Sequence, residues 1–274
     1  MGSSIFTGEI QLTNSKIMWR IIISGECSPY INMGIDYALW KAVKDKKSSP
    51  VLRFYLWNPP SVSLGYGQQA DALVHMDFCK KNNIPVVQRP TGGSAIFHDK
   101  ELTYSFCGHT DSYKDFYSPF SSYISICNAL KSGIEKLGID MKIRGFSEGK
   151  EPSMTKIPCF FLSSKYDLVI DNKKVIGSAQ KRDKESFLQH GSILMEVRKN
   201  LWSGIFKDSR DKDFDKIAGI YDFVKRTIPI ENLIENIIGG FKEIFDREFF
   251  INILTDEEEK NSHIFASTLF NNLL

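Results

Sequence analysis

The chain has 274 residues, 42% of them hydrophobic and 25% charged, with a net charge of +2. That length and balance fit one large globular domain, or one domain with a small appendage, and the near-neutral charge gives little electrostatic reason to expect nucleic acid. Five cysteines without Cys-x-x-Cys spacing argue against a disulfide framework or a structural zinc site and for a reducing compartment.

No apolar run approaches the ~20 residues of a membrane-spanning helix, and no secretory signal is recognisable. The expectation is a soluble cytoplasmic protein with no membrane partner. Residues 1–17 are polar and aperiodic and read as an N-terminal extension, with one catalytic domain over 18–274. Trp19–Ile23 is strand-like. After Pro29, an apolar stripe of Met33, Ile35, Tyr37, Ala38, Trp40 and Val43 predicts a helix. Strands follow at Val51–Trp57 and Ser61–Tyr66 across a Pro-Pro turn. Asp71 then caps a short helix ending near Asn82, and Ile84–Gln88 is a buried strand.

Arg89-Pro-Thr-Gly-Gly-Ser-Ala runs into strand residues that lead to His98-Asp99. The two glycines, Gly92 and Gly93, let backbone amides approach a ligand, or simply close a hairpin. No Gly-Lys-Ser/Thr follows, so this is not a P-loop. Leu102–Phe106 returns as a strand, and Ser118–Leu137 has helical spacing. Residues 145–165 then break all periodicity. A loop of that length is usually functional or disordered, and Cys159 sits near its end.

Tyr166–Ile170 and Lys173–Ile176 flank Asp171-Asn172, a two-residue hairpin signal. Lys174 stands beside the turn, and Gly177-Ser178-Ala179 reads as a second, small-residue turn. Phe187–Glu196 is the next strand and carries His190-Gly191. From about residue 200 the pattern turns helical, clearest over Ile230–Phe245, and ends in a capping helix with a frayed tail.

Among the thiols, Cys127 and Cys79 fall on apolar helix stripes and read as packing. Cys107 at a strand end and Cys27 ahead of a helix are weaker rivals to Cys159. A lysine beside a hairpin turn is ordinarily solvated. His98 and His190 lack metal-ligand spacing, so no metal is expected.

The ordered set Arg89-Pro-Thr-Gly-Gly-x-Ala, His98-Asp-Lys-Glu-Leu-Thr-Tyr-Ser105, Cys159-Phe160, Lys174-x-x-Gly-Ser-Ala-Gln180 and Gln189-His-Gly-Ser192 resembles the lipoate–protein ligase, biotin ligase and octanoyltransferase superfamily. Within it, the set is most similar to the LipM type of octanoyltransferase. The resemblance implies an α+β fold: a mixed, largely antiparallel sheet packed by helices, related to the class II synthetase and biotin ligase core, with a helical C-terminal segment. It also implies transfer of octanoate from octanoyl–acyl carrier protein to a lysine of a lipoyl domain, such as the glycine-cleavage H protein.

Carried onto this sequence, Cys159 is the acyl-carrying nucleophile and Lys174 its partner. Arg89, Thr91, Gly92, Gly93, His98, Gly177, Ser178, Ala179, His190 and Gly191 are then the substrate-binding set. No cofactor is implied, because a thiolate exchanges one thioester for another without ATP; a monomer is expected. Ser94 and Gln88 depart from the family pattern and weaken an anion-binding role for the glycine turn. The rival readings are a lipoyl amidotransferase, an ATP-dependent lipoate–protein ligase, and a non-catalytic lipoyl-domain-binding protein.

Overall fold

The computed structural model describes residues 18–145 and 166–271; Cys159 and residues 1–17 lie outside the described residues. Strand β1 (Trp19–Cys27) leads into helix α1 (Pro29–Lys44). Ser28 accepts the first-turn amide of Ile31, and Pro29 occupies the first turn, where its missing N–H costs nothing. β2 (Val51–Trp57) and β3 (Ser61–Leu64) come next.

The helix expected up to Asn82 is two short helices, α2 (Ala70–Leu73) and α3 (Met76–Lys81). The break falls at Val74, which leaves the helix to pair with Phe206. Asp71 lies inside the first turn of α2 rather than capping it.

β4 (Val86–Gln88), β5 (Ile96–His98), β6 (Glu101–His109) and α4 (Pro119–Glu135) follow. After β7 (Lys142–Ile143) come β8 (Leu168–Ile170), β9 (Lys173–Arg182) and β10 (Ser186–Leu194). The C-terminal part holds α5 (Lys199–Ile205), α6 (Ile230–Phe245) and α7 (Asp256–Asn271). It also holds one strand missed in the sequence, β11 (Phe249–Ile251).

Eight strands form one sheet in the order β11-β1-β2-β6-β10-β9-β8-β7, and β4-β3-β5 form a second. In the large sheet β1 is parallel to β2 and β11, and the other pairs are antiparallel. The expected mixed, largely antiparallel sheet is therefore present. Among the described residues no helix is long and apolar enough to cross a membrane.

Strand alternation sorts the large sheet into two faces. Leu52 and Phe54, Tyr104 and Phe106, and Phe187 join the main core with α4 and α6. On the opposite face Val51, Cys107 and Leu188 pack under α1. Further along the same face, toward the small sheet, β2, β6 and β10 place polar residues instead: Arg53, Thr103, Ser105, His190 and Ser192, all buried. That polar stretch is where the site forms.

Two local expectations are corrected. The Arg89–Ser94 segment is not a hairpin, because β4 and β5 each pair with the intervening β3 and not with each other. Gly177-Ser178-Ala179 is not a turn but the middle of β9, hydrogen-bonded to β10 in the register Gly177↔Ser192, Ser178↔Gly191, Ala179↔His190. Small residues suit extended backbone here because β10 approaches closely: a Cβ on Gly191 would lie 2.6 Å from the Gly177 carbonyl oxygen. The Asp171-Asn172 turn is as expected, with φ of 47° and 63° at its two residues.

Candidate active site

A cavity opens between the polar stretch of the large sheet and the small sheet. It is lined by Arg89, His98, Lys174, Gly177, Ser178, Ala179, His190 and Gly191 from the expected set, together with apolar groups such as Met33, Trp57 and Ile96. Segments far apart in the chain are thus brought to one place. Thr91 is wholly buried behind the lining, whereas Gly92 and Gly93 are exposed and lie outside it.

Lys174 is not solvated as a hairpin lysine usually is. It is 3% exposed, and its Nζ stands 2.9 Å from Asp167 Oδ1. The pairing follows from the Asp171-Asn172 turn, which folds β8 back on β9 and brings the residue just before β8 alongside Lys174. A buried ammonium held by a carboxylate is a fixed positive charge at the edge of the cavity, suited to a developing oxyanion.

His190 bridges two elements. Its Nδ1 is 3.0 Å from Asp36 Oδ2 on α1, and its Nε2 is 2.7 Å from Thr91 Oγ1. Asp36 is fully buried. It also accepts from Arg53 Nη1 at 2.7 Å, from Ser105 Oγ at 2.8 Å and from the Tyr55 hydroxyl at 2.8 Å. Burial alone would raise the Asp36 carboxyl, but hydrogen bonding to His190 and the charge of Arg53 outweigh it and hold the group below its ordinary range.

Arg89 is turned inward. Nε donates to Thr91 Oγ1 at 3.1 Å and Nη1 to Ser63 O and Oγ at 3.0 and 3.2 Å. Nη2 donates to the carbonyls of Gly92 and Ser94 at 2.7 and 2.8 Å. The guanidinium therefore shapes the loop that walls the cavity.

His98 lies flat against Trp57, with ring centroids 3.9 Å apart and planes 11° from parallel. Ser63 Oγ is 2.8 Å from its Nε2, and Glu101 Oε1 is 3.4 Å from its Nδ1, too poorly aligned for a hydrogen bond. Burial lowers the His98 pKa from its usual value despite Glu101, which favours the neutral ring. Glu101 accepts from Thr103 Oγ1 at 2.6 Å and from Ser192 Oγ.

Three thiols are ruled out as nucleophiles by their surroundings. Cys107 and Cys127 are buried in the packing on opposite faces of the large sheet, and burial pushes both thiols well up. Burial raises Cys79 to about 11. These groups are protonated at neutral pH and react poorly. Among the described residues, no group of three or more His, Cys, Asp or Glu is placed to hold a metal ion.

Sequence reading missed Asp36, Arg53, Ser63, Glu101 and Thr103. A signal existed for most of them: Arg53 is a lone charge in the apolar strand β2, and Glu101 and Thr103 on β6 are polar positions that alternate with Leu102, Tyr104 and Phe106. Asp36 carries a comparable mark, as a carboxylate in the middle of a helix whose neighbours are buried.

Comparison with known proteins agrees with this architecture. The sequence pattern of the lipoyl protein ligase A/B catalytic domain matches residues 28–242. The octanoyltransferase LipM of Carboxydothermus hydrogenoformans is 38% identical over 252 residues, covering 89% of this chain and 93% of that one. The octanoyltransferase LipM of Bacillus subtilis is 34% identical over 269 residues, 93% of this chain and 96% of its own. A solved lipoate-protein ligase A bound with ATP shares the fold at a TM-score of 0.79 and 23% identity, covering 94% of this chain and all of that one. With this fold, a cavity lined by most of the expected residues and relatives of this similarity along most of its length, the chain belongs to the LipM octanoyltransferases of the lipoyl protein ligase A/B catalytic-domain family.

Proposed function

We propose that this protein moves octanoate from octanoyl–acyl carrier protein to a lysine of a lipoyl domain, such as the glycine-cleavage H protein, with Cys159 carrying the acyl group between the two. Lys174 is the observation that supports this reading best: a buried cation lining a cavity that Trp57, Met33 and Ile96 also line. An acyl chain would lie along those apolar groups, with its carbonyl at the Lys174 end.

In the first half-reaction the Cys159 thiolate attacks the donor thioester. A carbon–sulfur bond to Cys159 forms, the bond to the donor breaks, and the donor leaves as a thiolate that takes up a proton. In the second, the neutral amine of the acceptor lysine attacks the Cys159 thioester; an amide forms, one amine proton is lost and the thiolate is released. Lys174 stabilises the oxyanion of both tetrahedral intermediates. The small residues Gly177, Ser178, Ala179 and Gly191 of the β9–β10 pair leave room beside the reacting carbonyl.

The test is to incubate the protein with octanoyl–acyl carrier protein without ATP and weigh it. An octanoyl adduct on Cys159, absent in Cys159→Ala, is expected. No adduct, with transfer of free octanoate once ATP is added, would instead identify a ligase. Loading from an octanoylated lipoyl domain far faster than from acyl carrier protein would identify an amidotransferase.

A further inference from the structure

Asp36 lies outside the cavity lining, and the proposed chemistry does not use it. Its contacts nevertheless fix the position of several protons. An ionised carboxylate only accepts, so the hydrogen bond to His190 requires the proton on Nδ1. In a neutral imidazole Nε2 is then an acceptor, so Thr91 donates its hydroxyl proton there. With that proton committed, Thr91 Oγ1 meets Arg89 Nε through a lone pair. The donors run head to tail from Arg89 through Thr91 and His190 to Asp36.

A second branch leaves the same guanidinium. Arg89 Nη1 donates to Ser63 Oγ, and Ser63 in turn faces His98 Nε2, with Glu101 beyond the far side of the ring. Arg89 thus meets two hydroxyls that each face a histidine, and along the Asp36 branch the hydrogen bonds run head to tail and reinforce one another in a dry interior. An imidazolium at His190 would reverse the Thr91 contact, turn the Thr91 hydroxyl proton away from the ring and set a second cation close to Arg89.

We infer that Asp36 is a positioning residue for acyl transfer: through His190 and Thr91 it sets the direction of a proton chain that begins on Arg89, whose remaining N–H groups hold the Gly92–Ser94 wall beside the acyl cavity. This rests on the transfer function proposed above. With the chain so directed, the Thr91 hydroxyl proton and the Arg89 N–H groups that are bonded here are spent within the wall. The groups that face Asp36 and set its charge are Arg53 and Tyr55 from β2, Ser105 from β6 and His190 from β10.

Nitrogen-15 NMR of the imidazole rings of the intact protein tests the chain directly. The expected result is a His190 ring with a proton on Nδ1 and none on Nε2; a proton on Nε2 would overturn the inference. The kinetic counterpart is a pair of variants. Thr91→Val removes the hydroxyl and should lower kcat/KM for octanoyl transfer roughly 10–100-fold, the scale of one buried polar partner lost. Thr91→Ser keeps the hydroxyl and should restore most of it. Equal activity in the two variants overturns the inference. Asp36→Asn should turn the ring to the opposite tautomer. That change also leaves Arg53 uncompensated, so if Asp36→Asn folds poorly, the unmodified protein and the Thr91 pair decide the matter. Failure of octanoyl loading on Cys159 would refute the transfer function without altering the tautomer signal, so the two failures are distinguishable.

Discussion

Lys174 Nζ and Asp167 Oδ1 stand 2.9 Å apart with both side chains almost wholly buried. Asp167 also has Arg144 Nε at 3.8 Å, so removing Lys174 weakens the compensation of its buried carboxylate and costs part of the ~3–5 kcal/mol typical of a buried charge left alone. Lys174→Met should therefore lose both transfer activity and stability. Adding Asp167→Asn to it should recover much of the stability and none of the activity. Chemical denaturation and a transfer assay on the two proteins separate the structural role of the pair from the chemical role of the amine. Activity close to normal in Lys174→Met would remove the oxyanion role.

Gly65 packs backbone to backbone against the Arg89–Ser94 loop: a Cβ there would sit 1.8 Å from the Gly93 carbonyl oxygen. Gly65→Ala should displace that loop and strip Arg89 of partners, with a large drop in transfer rate. Gly92→Ala is the control, since a Cβ at Gly92 meets nothing within 4 Å. If Gly92→Ala proves as damaging as Gly65→Ala, the Gly92 backbone lies against substrate.

At Gly191 the obstruction comes from three sides, with a Cβ 2.6 Å from Gly177 O, 2.6 Å from Ser178 Oγ and 2.8 Å from the Tyr104 ring. Gly191→Ala must push β9 away from β10 beside the cavity. Overpacking of this kind costs about 1–3 kcal/mol, visible as a lower melting temperature, and should be accompanied by slower acyl loading.

His98 gives the fold an acid dependence. Its folded-state pKa lies below the unfolded value of ~6.5 because burial disfavours the imidazolium. The unfolded chain then binds more protons than the folded one, so stability falls as pH drops below ~6.5 and levels off once pH is under the folded-state value. In His98→Gln that part of the dependence should disappear, as measured by denaturant midpoints across the acid range. An unchanged profile would mean that His98 does not titrate differently on folding.

How much of this was legible in the sequence depended on whether a signal was local. The α1 stripe, the Asp171-Asn172 turn and the α6 stripe are written in neighbouring residues, and each formed as expected. The Gly177–Ala179 strand and the small sheet were not, because strand pairing is decided by partners far away: β10 claims Gly177–Ala179, and β3 inserts between β4 and β5. The same holds for the site. Lys174, Arg89, His98 and His190 could be picked out by their motifs. The ties of Arg89, His98 and His190 to Asp36, Ser63 and Glu101, and of Lys174 to Asp167, are visible only once α1 and the two sheets have been brought together.

Strand β11 adds a consequence at the far side of the sheet. It pairs in parallel with Trp19–Ile21, so the backbone groups of β1 that would otherwise form an open edge are occupied. An uncovered edge strand is a template for pairing with other chains, and this one carries Trp19, Ile21 and Ile22. The substitution Phe250→Pro, in the middle of β11, should thus show first as self-association of the protein through the uncovered β1 edge.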